Sequence, residues 1–170
     1  MTVRLTARDA GLLVAAAALV LDQGSKLLML YGLGFADGPG HPIQILPFFN
    51  LVMVWNPGIS LGLFPADSPE GTVVLATFQL LAVCGLSWWL WMAKTKILAV
   101  GIGLVIGGAL GNLIDRLVYG KVADFFHFYV SGYDWYVFNV ADAAITFGVL
   151  GLLYDALLKQ DASKHGAGKE

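Results

Sequence analysis

The chain has 170 residues, of which 58% are hydrophobic and 13% charged, with a formal net charge of -2 at pH 7. Its mean hydropathy is +0.73. Soluble domains carry about a quarter of their residues as charges, so the composition excludes an ordinary soluble domain; with no basic block, nucleic acid is not an expected partner. One cysteine, Cys84, excludes an intramolecular disulfide. Its apolar surroundings predict a small buried hydrophobe.

Four apolar runs, about 10–30, 71–92, 97–118 and 138–158, approach or exceed the roughly 20 residues that cross about 30 Å of hydrocarbon. The first follows Arg4 and Arg8 as a secretory signal would. It continues through Leu27-Leu28-Met29-Leu30 with no small-residue cleavage site, so it reads as a retained helix. A long connection, about 31–70, opens with the turn-rich GFADGPGHP. It continues as IQILPFFNLVMVWNPGISLGLF, whose β-branched and aromatic residues predict short strands on the membrane surface. In the connection 119–137, the aromatics of DFFHFYVSGYDWY predict a short interfacial helix. The polar tail 159–170 is expected to be disordered. The predicted fold class is an all-α membrane protein: one four-helix domain, 1–158, with a small periplasmic β-rich loop domain.

Arg4, Arg8, Lys94, Lys96, Lys159, Lys164 and Lys169 all fall on one side of the four runs. The bias of Lys and Arg toward the cytoplasm then places both termini inside and the two long connections outside. Trp88, Trp89 and Trp91 at the inner end of the second run suit an interfacial aromatic belt.

With that orientation, polar residues from segments far apart in sequence reach one depth: Asp22 and Lys26, Asn56, Asn112, Asp115 and Arg116, Asp124, and Asn139 and Asp142. Ionisable groups at such depth are costly and point to function. Each also has a plainer reading. Asp22 and Lys26 are spaced to pair along one helix face, and Lys26 is long enough to snorkel. Arg116 suits an interfacial anchor. Asp124 suits a loop acid, and Asp142 a helix-start acid favoured by the dipole. Gly103, Gly107 and Gly111 form a close-packing stripe, within the chain or between copies. His127 has no second His or Cys at ligand spacing, so no metal is expected. Ser25 and Lys26 are adjacent on a helix and point to different faces, which weakens a Ser–Lys pair. The chemistry left is that of carboxylates, which can share a proton, activate water and protonate a leaving group.

Five segments carry a resemblance. LDQGSK (21–26), WNPGISLGLF (55–64), GGALGNLIDRL (107–117), VADFF (122–126) and FNVADAAI (138–145) resemble, in order, the motifs of the lipoprotein signal peptidases, the bacterial type II signal peptidases. The resemblance implies an aspartic protease of the inner (cytoplasmic) membrane with Asp124 and Asp142 as its catalytic dyad and no cofactor. By the same resemblance Asn56, Gly58, Asn112, Arg116 and Asn139 hold substrate and order the site, supported by Asp22, Lys26 and Asp115. The implied substrate is a diacylglyceryl-modified prolipoprotein cut on the amino side of the lipidated cysteine, with membrane lipid as surroundings and globomycin-type cyclic peptides as inhibitors. Pro57-Gly58-Ile59-Ser60 is bulkier than the family's usual small residues after the asparagine, and Gly58 and Gly62 are candidate hinges. The competing readings are a small proton-coupled transporter, which predicts acids spaced through the membrane depth, and a non-enzymatic scaffold.

Overall fold

Each of the four long helices starts at a residue whose side chain accepts one of the helix's first free N–H groups. In the computed structural model, which describes residues 4–37, 40–58, 68–130 and 132–166, helix α1 (Ala7–Leu27) opens with a capping box between Thr6 and Asp9. Ser68 caps α2 (Pro69–Trp91), with Pro69 in the first turn. Thr95 caps α3 (Lys96–Tyr119), which ends on Gly120 at φ 72°, a left-handed geometry that glycine adopts without strain. Asn139 caps α4 (Val140–Gly166) through Oδ1, which accepts the Asp142 N–H at 2.9 Å. The segments Ala7–Gly32, Pro69–Trp91, Lys96–Tyr119 and Val140–Lys159 are long and apolar enough to cross a membrane.

Helix α3 is central. α1 and α4 pack along two of its faces and α2 along a third. The glycines explain the closeness. A Cβ on Gly103 would strike the Gly11 backbone, one on Gly107 would strike Ala15 and Ala18, and one on Gly111 would strike the Asp22 carboxylate. Gly108 faces Ala141 in the same way, and Gly148 faces Gly101. The small-residue stripe is therefore intramolecular, and it brings polar side chains of α1 and α4 against α3. Below it, Ala15, Val83, Leu90, Leu98, Ala99, Ile102, Ile106 and Ala109 fill the core. Cys84 is exposed on the outer side of α2, not buried as its apolar surroundings suggested.

At one end of the bundle stands a four-stranded antiparallel sheet in the order β1-β2-β3-β4. Strands β1 (Ile43–Leu46) and β2 (Phe49–Asn56) come from the first long connection, as expected. Strands β3 (Val122–Val130) and β4 (Tyr133–Phe138) come from the second, so the expected interfacial helix is instead a hairpin, and all-α is too narrow a class. The reason is physical. The Phe, Tyr and Val of this segment favour a pleated surface, Gly132 turns the chain at φ 83°, and β2 supplies a partner edge, with Val54 opposite Asp124 and Asn56 opposite Val122. Met29, Leu30, Phe35, Met53, Ala123 and Phe125 seat the sheet on the π-helical turn that follows α1. Part of the first connection, Gly62 included, lies outside the described residues. Helix α4 continues to Gly166, past the point where the sequence reading placed a disordered tail.

The close helix contacts predict that Gly107→Leu lowers unfolding stability by at least the roughly 1–3 kcal/mol of an overpacked core. Gly85, on α2 with nothing within 4 Å of an added Cβ, should accept alanine with no loss and a gain of up to about 1 kcal/mol. Thermal unfolding in detergent compares the two.

Candidate active site

The polar cluster forms around one buried cation. Lys26 is 2% exposed, and its Nζ lies 2.8 Å from Asp22 Oδ2 and 2.8 Å from Asp115 Oδ2. Its third contact is Asn112 Oδ1 at 3.0 Å. An ammonium with three acceptors is fully satisfied. Gln23 braces the same pair, its Nε2 lying 3.1 Å from Asp22 Oδ2 and 3.1 Å from Asp115 Oδ1.

The second oxygen of Asp22 and the lysine-bound oxygen of Asp115 each reach one more donor. Asp22 Oδ1 accepts the Ala141 N–H at 2.9 Å. Asp115 Oδ2 accepts the Ala123 N–H at 3.0 Å. Ala123 precedes Asp124 and Ala141 precedes Asp142, in two Val-Ala-Asp triplets. The carboxylates paired with Lys26 thus each pin the residue just before one of the two remaining acids. Both alanines are fully buried.

Asn139 joins those two acids. Its Oδ1 accepts the Asp142 N–H, so its amide group must face away, and Nδ2 donates to Asp124 Oδ1 at 2.6 Å. Its own N–H lies 3.4 Å from Asp142 Oδ2, completing a capping box in which Asp142 is the third helical residue. Asn112 is fixed by the same logic. Lys26 and Asn139 donate to its Oδ1, at 3.0 and 3.1 Å. Its Nδ2 therefore points to Asp142 Oδ1, at 3.0 Å. Asn56 donates to Asp124 Oδ2 at 3.0 Å and to the Tyr136 hydroxyl at 3.2 Å, while its Oδ1 accepts the Gly58 N–H at 3.0 Å. Burial pushes the Asp124 carboxyl up to about 7, and the nearby charge of Asp142 adds to the rise, against the hydrogen bonds from Asn56 and Asn139.

Both acids line open space. Asp142 lines a groove of about 490 Å³ between α2, α3 and α4, walled by Leu75, Phe78, Ala82 and Ile145 with Gln79 and Arg116 at its polar part. Asp124 lines a pocket of about 370 Å³ with Trp55, Asn56, Trp135 and Tyr136 of the sheet. Arg116 reaches from the groove to the loop after β2, its Nη2 donating to the Gly58 carbonyl at 2.6 Å.

All ten residues singled out in the sequence gather at this end of the bundle, and Gln23, Gln79 and Tyr136 join them without having been foreseen. Their sequence signal was slight: a Gln inside the segment LDQGSK, between residues of more evident chemistry, a Gln alone in an apolar helix, a Tyr among many aromatics. Asp155 sits at the opposite end and has its own partners. Thr95 donates to its Oδ1 at 2.6 Å, and Lys159 pairs with it at 2.5 Å. The acids of the described residues are thus not spaced through the depth of the bundle as a proton relay would need. His127 pairs with Asp134 across the β3–β4 hairpin, and Ser25 donates to its own helix.

A buried Lys–Asp–Asn lattice thus sits beside two further acids, with the Asn139 side chain bonded to the Asp124 carboxyl and to the backbone N–H of Asp142. A family model described as signal peptidase (SPase) II matches residues 14–158. The chain belongs to the signal peptidase II family. It is 48% identical over 158 residues to a lipoprotein signal peptidase of Rhodopseudomonas palustris, covering 91% of this chain and 95% of the relative. It is 46% identical over 164 residues to one of Nitrobacter hamburgensis, covering 94% and 99%. Two solved structures described as bacterial membrane enzymes superpose with TM-scores of 0.76 and 0.71 at 28% and 29% identity, the first covering 91% of this chain and 90% of its own. As a signal peptidase II, the protein is an aspartic endopeptidase of the membrane that removes signal peptides from lipoproteins.

Replacing Lys26 by methionine leaves two carboxylates buried without their cation, which costs about 3–5 kcal/mol. Unfolding of Lys26→Met should show that loss together with loss of cleavage. Thr95→Ala, at the other end, should cost about 1 kcal/mol as a lost cap and leave cleavage at its wild-type rate.

Proposed function

We propose that Asp124 and Asp142 are the catalytic dyad, acting on the diacylglyceryl-modified cysteine of a prolipoprotein at the outer face of the bacterial inner membrane. Asn139, which donates to the Asp124 carboxyl and caps the helix turn that carries Asp142, is the observation that carries this reading. One proton serves the pair. Burial and the nearby charge of Asp142 raise the Asp124 carboxyl to about 7, which suits it to give a proton, and Asp142, at the N-terminus of α4 where the helix dipole favours negative charge, suits the base.

The steps follow from that pairing. Asp142 takes a proton from water as the water oxygen attacks the scissile carbonyl carbon. Asp124 gives its proton to the carbonyl oxygen, producing a gem-diol. The proton on Asp142 then passes to the departing nitrogen. As the C–N bond breaks, a hydroxyl proton of the gem-diol returns to Asp124, restoring the carboxyl. The products are a free carboxyl on the signal peptide and a free amine on the lipidated cysteine. No covalent intermediate with the enzyme is needed.

The lateral groove supports a lipid-linked substrate. Its walls are apolar and its polar residues sit beside Asp142, so an acyl chain seated along α2 and α4 brings the cysteine to the dyad. The lipid fixes the depth of the scissile bond, and that alignment replaces much of the entropy cost of a bimolecular encounter. Arg116, Asn112, Asn56 and Gly58 hold the peptide, and globomycin-type cyclic peptides inhibit by occupying the same space. The charge bias places both termini in the cytoplasm and the sheet in the periplasm.

A gel-shift assay on a prolipoprotein with and without its diacylglyceryl group tests the reading. Cleavage is expected only of the lipidated form and is expected to vanish in Asp124→Asn and in Asp142→Asn; activity in either variant overturns the dyad. The rate should also fall as pH rises through about 7, where Asp124 loses its proton. Asn56→Ala, which removes a hydrogen bond favouring ionised Asp124, should move that limb to higher pH.

A further inference from the structure

Helix α2 is nearly all lipid-facing around its middle. Phe78, Leu80 and Leu81 are 69%, 50% and 66% exposed. Between them Gln79 is half-buried and faces the groove. An amide in an apolar span is costly unless each end is bonded. Gln79 Nε2 donates to the Ala109 carbonyl at 2.7 Å. Its Oε1 accepts from Arg116 Nη1 at 3.1 Å. A carbonyl can only accept and a guanidinium can only donate, so the amide fits one way round.

Arg116 carries that orientation onward. Its Nη2 donates to the Gly58 carbonyl, the Gly58 N–H donates to Asn56 Oδ1, and Asn56 Nδ2 donates to Asp124 Oδ2. Without Gln79, Nη1 keeps only the Asn112 carbonyl of its own helix. The fork then rests on the Gly58 and Asn112 carbonyls alone, with no side chain of α2 to fix its plane.

We propose that Gln79 is a positioning residue for cleavage: it holds the Arg116 fork on the Gly58 carbonyl and so keeps Asn56 on Asp124. This rests on the dyad reading above. A residue that merely brings α2 against α3 needs only the Ala109 contact; one that positions Arg116 needs the acceptor oxygen.

Two variants separate these roles. Gln79→Met removes both bonds, and Gln79→Glu keeps an oxygen for Arg116 while losing the donor to Ala109. Steady-state cleavage of a diacylglyceryl-modified lipopeptide is measured with full-length enzyme in detergent, alongside wild type and Asp124→Asn. Gln79→Met should lower kcat by about tenfold or more with KM within about threefold, and Gln79→Glu should restore most of kcat. Equal impairment of both variants, a wild-type kcat in Gln79→Met, or a change confined to KM overturns the proposal. If Gln79→Met does not fold, Gln79→Ala takes its place as the variant lacking the acceptor oxygen, with the same outcomes deciding. Wild-type cleavage that survives Asp124→Asn would instead overturn the dyad reading.

Discussion

The rest of the site depends on the ammonium of Lys26, held out of water between Asp22 and Asp115. Such a lattice is poor value as pure stability, since desolvating three charges costs about as much as their attraction returns. What it supplies is placement. Each of the two carboxylates also binds the backbone N–H before one of the proposed catalytic acids. The lysine fixes the Asn112 amide as well. One cation therefore sets the start of α4, the start of β3 and the orientation of a side chain beside Asp142.

The glycine faces of α3 make that lattice possible. Lys26 and Asp22 reach Asp115 only because Gly103, Gly107 and Gly111 let α1 lie directly against α3. On another face, Gly108 lets the first turn of α4 approach. A membrane offers little hydrophobic drive between helices, so close van der Waals contact and buried hydrogen bonds hold the bundle. The same contacts that stabilise it bring four acids and two bases into one small volume. Asp124 is buried there with Asp142 nearby, which is the physical origin of a carboxyl that titrates near neutrality.

Much of this was legible in the sequence. Apolar run length gave four helices, the i,i+4 spacing of Asp22 and Lys26 gave their pairing, and the charge bias gathered the polar residues at one depth. The hairpin was not legible, because its aromatic segment takes the strand form only by pairing with β2. The contact between Asn56 and Asp124, for example, spans 68 residues. Nor were Gln23 and Gln79, since a single amide gives no periodic signal and its worth depends on which carbonyl and which guanidinium meet it. Helix α4 starts two residues after the apolar run does. Phe138 continues the apolar run but belongs to β4, and the switch from strand to helix is made at Asn139, whose side chain serves as cap and as link between the two acids.

A proton shared by Asp124 and Asp142 is the central claim, and infrared difference spectroscopy of the detergent-solubilised enzyme, titrated across pH, reads it directly. A shared proton predicts a carboxylic acid C=O band that disappears with a midpoint near 7 and is absent from Asp124→Asn. No protonated carboxyl near neutral pH, or a band unchanged in both Asp124→Asn and Asp142→Asn, would contradict it.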